Sequence, residues 1–173
     1  EQYIRICIVA GMLQALGWNI WDPSKFYTEY PVITINANTP ALLGNGKVDV
    51  AMGKNLQTKK EHLFTLIEVK ALGNIVNNSW IQLQTYSVNK NQPISVLTDG
   101  EIWEFYLNTL PSNQDYTDRR FNIINLSANK IEDIISFFSH VLGYGRSLGS
   151  IQTTSRKMRK EFSLIQHIKP HKK

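Results

Sequence analysis

Residues 63–72, "LFTLIEVKAL", read as a strand that is apolar on both faces, the pattern expected in the middle of a sheet. Glu68 and Lys70 break that pattern near its end. Side chains alternate along a strand, so these two charges emerge on one face with Phe64 and Leu66, and Val69 points to the other. A carboxylate and an ammonium beside apolar surface lose hydration, a cost that an opposite charge or a metal must offset.

The neighbouring segments supply the sheet around this strand. "KVDVAM" (47–52) reads as an antiparallel partner, preceded by the loop "NANTPALLGNG", whose Asn45-Gly46 leads directly into it. On it Val48, Val50 and Met52 share one face, leaving Asp49 on the other, where it can meet Glu68. "FYTEYPVITI" (26–35) is rich in β-branched and aromatic residues, and Pro31 predicts an edge strand or a bulge. Ahead of it, Ile4, Ile8, Leu13 and Leu16 stand near helical spacing over 2–16, with Gly17 as the stop. Downstream, a helix over 74–90 carries Val76, Trp80, Leu83 and Ser87 on one stripe. Segments 93–98 and 101–107 flank Asp99-Gly100 as a hairpin. "RRFNIINL" adds a strand, and 130–143 is an amphipathic helix ending at Gly143. The order predicts an α/β fold, a mixed central β-sheet flanked by α-helices, in one domain over 1–145. Residues 146–173 read as a basic linker or tail, with a short helix bearing Met158, Phe162 and Ile165.

Composition sets further bounds. The 173 residues suffice for a proper core. The single cysteine, Cys7, lies among Ile4, Ile6, Ile8 and Val9 and reads as core; it excludes an internal disulfide and a cysteine-based zinc site, which makes the cytoplasm the default compartment. His62, His140, His167 and His171 show no ligand spacing. No apolar run approaches the roughly 20 residues that span a bilayer, so no membrane is expected. A start at Glu1 suggests a piece of a longer polypeptide. Of the 19 Lys and Arg, 8 lie from Arg146 onward, against 1 of the 14 acids. Such a tail suits phosphate contact, although a solvated linker explains a charge run as well. The four tryptophans, Trp18, Trp21, Trp80 and Trp103, read as core or loop packing. Glu29 reads as a surface strand residue rather than a support near a metal.

Two carboxylates held together repel, and a divalent cation is the usual remedy; oxygen ligands of this kind favour Mg2+ or Mn2+. A metal beside a lysine on adjacent strands suits phosphodiester hydrolysis, in which the metal lowers the pKa of a bound water and the lysine steadies developing negative charge.

"VDVAMG" and "LIEVKALG" resemble the D…ExK signature of the PD-(D/E)XK nuclease superfamily, with Asp49, Glu68 and Lys70 as its members. In order, "EQYIRICIVAGMLQALGW", "EYPV", "KVDVAM", "LIEVKA", "QLQTY" and "VLTDGEIWEFY" resemble the N-terminal nuclease domain of type I restriction enzyme R subunits. The resemblance implies a restriction-endonuclease-like fold and a Mg-dependent DNA endonuclease of restriction or defence. Asp49 and Glu68 are then metal ligands, joined by the Val69 carbonyl and by Glu1, which occupies the place of an acid on the first helix. Lys70 assists the attacking water. Gln82 and Tyr86 resemble the Gln-x-x-x-Tyr helix motif of RecB-type nucleases, which implies contact with the site or the DNA. Two departures stand out: Val48 replaces the proline before the acid, and no GxxxxGK[ST] phosphate loop is present, so this chain alone is no translocating enzyme. DNA and other restriction-system subunits or domains are the expected partners, and double-strand cleavage, needing two sites, admits a homodimer. The alternative is a non-cleaving DNA-binding module of the same fold within a larger restriction or repair assembly.

Overall fold

In the computed structural model, the described residues are 1–35, 42–75, 79–87, 92–108 and 119–146, with 153, 156, 157 and 160. Six strands form one mixed sheet in the order β1-β2-β3-β4-β5-β6. These are β1 (Phe26–Ile35), β2 (Leu42–Lys54), β3 (His62–Val69), β4 (Ile94–Thr98), β5 (Ile102–Leu107) and β6 (Arg120–Asn125). All neighbours are antiparallel except β3 and β4, which run parallel. Parallel neighbours need a crossover, and α2 (Ser79–Ser87) lies within it. The α/β architecture expected from the sequence is thus present, with β3 in the interior and the Pro31-bearing β1 at an edge. No helix among the described residues is long and apolar enough to cross a membrane.

Each face of the sheet is covered. On one side lie α1 (Ala10–Ala15), the π-helical turn Ile4–Val9 that leads into it, and α3 (Ile131–Val141). Leu13, Phe137 and Phe138 there pack with Val50, Ile67, Val96, Trp103 and Phe105. The Trp103 and Phe138 rings meet edge to face at 5.0 Å, and Phe105 and Phe137 at 4.8 Å, contacts worth about 1 kcal/mol each beyond their burial. On the other side Leu83 and Tyr86 of α2 pack on Tyr30, Val48, Ala51, Leu66 and Leu97. The expected stripe on this helix holds at Leu83 and Ser87, both buried; Val76 lies outside the described residues, as do Met158, Phe162 and Ile165.

Several expectations need correction. Asn45 and Gly46 are not loop but lie inside β2, opposite Ile33 and Val32, because the hairpin extends further than the Asn-Gly signal suggested; its connection, 36–41, is outside the described residues. Val48 does not share the face of Val50 and Met52: it packs with Ala51, three residues away, on the α2 side. The strand's alternation breaks at Asp49, and that of β1 breaks beside it at Glu29, whose φ is +54°. Phe64 likewise leaves the face of Leu66, since the register slips from Met52↔Thr65 to Gly53↔Leu63 and makes Phe64 the extra residue of a bulge. Gly53 permits this: a Cβ there would lie 2.3 Å from the His62 carbonyl oxygen.

Cys7 is exposed rather than core. The π-turn explains it, because bonding five residues back widens the helix and buries Ile4 and Val9, five apart, in place of an α-helical stripe. Trp18 and Trp103 are core and Trp80 is half-buried, whereas Trp21 is exposed.

Candidate functional site

The last β2–β3 pair in register is Val50↔Ile67, which makes Asp49 and Glu68 the next opposite positions, where the two strands begin to part. The Val69 amide, free of a ladder carbonyl, donates instead to Asp49 Oδ2 at 2.8 Å. This bond fixes the carboxylate in the gap between the strands. Glu68 points to the α2 side and is 3% exposed.

Lys70 reaches back over Glu68. Its Nζ donates to Glu68 Oε1 at 2.9 Å and to Gln82 Oε1 at 2.8 Å. Gln82 in turn donates from Nε2 to the Tyr86 hydroxyl at 2.8 Å. The spacing of four places Gln82 and Tyr86 on one side of α2, Gln82 exposed and Tyr86 buried under the helix. Burial raises the Tyr86 pKa above that of an ordinary phenol, so its hydroxyl stays protonated. Glu68, Lys70, Gln82 and Tyr86 therefore form one hydrogen-bonded line from the sheet to the helix.

Glu68 has the most perturbed carboxyl of the site. Burial foremost, with repulsion from Asp49 and Glu1, pushes its pKa up to about 7 against the opposing bond from Lys70. Its second oxygen, Oε2, is buried without a hydrogen-bond partner. An orphaned carboxylate oxygen beside a second acid is unusual in a folded chain, where buried polar atoms are nearly always satisfied. Glu1 is exposed, and it bears on Glu68 through charge.

Two contributors, Arg5 and Asp99, escaped the sequence reading, and Glu29, read there as a surface strand residue, is exposed as expected but bonded to the first of them. Arg5, given no role there, donates from one terminal nitrogen to Asp49 Oδ1 at 3.1 Å and from the other to Glu29 Oε1 at 3.4 Å. A lone arginine in "YIRICIVAG" was the available signal. Glu29 also receives Lys47 at 3.3 Å and so belongs to the surroundings of Asp49. Asp99, taken only for a turn residue, is 2% exposed; its Oδ1 accepts the Glu101 and Ile102 amides, and its Oδ2 accepts the Gly73 amide at 3.0 Å. It ties the segment after Lys70 to the β4–β5 turn.

No group of three or more His, Cys, Asp and Glu side chains among the described residues is arranged to hold a metal. Two carboxylates can suffice for Mg2+, which keeps several waters and commonly takes one or two protein acids plus substrate phosphate. The orphaned Glu68 Oε2 beside Asp49 fits such an ion.

No protein-family model and no curated protein matches the sequence. Among solved structures, the chain is similar to the type IIG restriction endonuclease BpuSI, with 18% identity and a TM-score of 0.41, over 94% of this chain and 17% of that one. The chain thus spans a minor part of that enzyme's length.

Proposed function

We propose that the chain is a metal-dependent deoxyribonuclease domain of the PD-(D/E)XK type, related to the nuclease domains of type I restriction R subunits and acting in restriction or defence against foreign DNA. The observation that carries the reading is Glu68: a buried acid with one oxygen bonded to Lys70 and the other orphaned beside Asp49. A Mg2+ or Mn2+ ion held by Asp49, Glu68 and the Val69 carbonyl, with Glu1 at the rim, would polarise the phosphate and acidify a water. Lys70 would stabilise negative charge growing on the phosphate and orient the attacking water, and Gln82, bonded to Lys70 Nζ, would hold that ammonium in place. Tyr86 would support Gln82 from below, leaving Gln82 and Lys70 to face the DNA backbone.

The test is cleavage of plasmid and single-stranded DNA with Mg2+, Mn2+ or EDTA, run beside Lys70→Ala. Metal-dependent cutting that falls at least about 100-fold in the variant is expected, the usual loss when a donor to developing charge is removed. Substantial residual cutting by the variant sinks the assignment. The second reading, a non-cleaving DNA-binding module of the same fold, is favoured by one contact: Arg5 already gives Asp49 a cation partner. Metal titration separates the two, since the nuclease should bind Mn2+ and lose it in Asp49→Asn.

A further inference from the structure

The π-turn delivers Arg5 to Asp49 from the side opposite Lys70. The arginine side chain is 15% exposed and divides its two terminal nitrogens between Asp49 Oδ1 at 3.1 Å and Glu29 Oε1 at 3.4 Å. Asp49 Oδ2 already accepts the Val69 amide. A divalent ion at Asp49 must therefore share Oδ1 with a guanidinium, or lie beside one, and the two positive charges repel in a partly buried setting where screening is weak. Glu29 offers the arginine an alternative. Its left-handed backbone, φ +54°, is a strained conformation for a non-glycine residue in a strand, and it brings the carboxylate within reach of Arg5. Lys47 occupies Oε2 and leaves Oε1 to the arginine.

We propose that Arg5 is a built-in cation competing with the divalent ion for Asp49, and that it must shift onto Glu29 for Asp49 to become a ligand. Arg5 and Glu29 together then set the metal affinity of the site. The inference rests on the nuclease reading and extends it to the site's regulation.

Calorimetric titration of the full chain with Mn2+ tests it, in the wild type, Asp49→Asn, Arg5→Ala, Glu29→Gln and the double variant. Arg5→Ala should bind Mn2+ about tenfold more tightly, the scale of removing one nearby like charge. Glu29→Gln should weaken binding severalfold, and that loss should largely vanish in the Arg5→Ala background, because Glu29 acts through the arginine. Should Arg5→Ala unfold in a thermal melt, Arg5→Gln keeps a polar chain without the charge and reads the same shift. Unchanged or weaker binding without the arginine overturns the proposal, as does a Glu29 effect that is additive. If the wild type binds Mn2+ through Asp49 and Arg5→Ala binds equally, only this inference fails; if neither binds, the nuclease reading fails with it.

Discussion

Glu68 keeps its proton up to about pH 7 in the folded chain, against an ordinary value of 4.5. Between those two values the folded state binds more protons than the unfolded one, so this residue's contribution makes stability fall as pH rises through the window and level off above 7. The whole effect is on the order of 3 kcal/mol. Glu68→Gln should remove it: in urea unfolding with EDTA present, the difference between variant and wild type should move in the variant's favour by roughly 1–3 kcal/mol from pH 5 to pH 8. A difference that stays constant across that range contradicts a raised pKa. The acid's pairing with Lys70 was legible in the sequence, because a strand's alternation puts residues two apart on one face. Arg5 was not legible, since which way it turns depends on the π-turn, and its Asp49 partner lies 44 residues away.

At the scale of elements, strand positions were readable from composition and the β4–β5 turn from Asp99-Gly100. Face assignments failed where the backbone leaves regular strand geometry, at the left-handed Glu29 opposite Asp49 and at the bulge that makes Phe64 an extra residue, because either irregularity inverts the faces beyond it without altering the apolar pattern that announced the strand. The placing of the first helix was invisible for a related reason: it depends on a close approach across the fold. Gly100 has φ +93°, and a Cβ there would lie 2.9 Å from Ile4 Cγ2 and 3.1 Å from Ile8 Cδ1. Gly100→Ala should cost about 1–3 kcal/mol through the strained backbone and that close approach. Because Ile4 precedes Arg5, the displaced turn should also loosen the Asp49 ion pair. Hydrogen exchange offers the check: amides of residues 4–15 should lose protection while β3 and β4 keep theirs, and uniform loss would mean that the helix is not the responding element.

For the whole molecule, charge is divided unevenly, with 8 of the 19 basic residues from Arg146 onward and 13 of the 14 acids before it. If that segment binds phosphate, removing 146–173 should flatten the dependence of DNA affinity on salt, by roughly 0.9 in log–log slope for each duplex phosphate that the segment neutralises. An unchanged slope returns it to a linker. The residues that follow α1 and α3 are clasped together: Trp18 Nε1 donates to the Leu142 carbonyl at 2.6 Å, the Tyr144 amide donates to the Leu16 carbonyl at 3.0 Å, and the Trp18 and Tyr144 rings meet edge to face. The N-terminal segment that carries Arg5 is therefore held at its far end by residues more than 120 positions away, so the two ends of the sheet-bearing body lock one another in place.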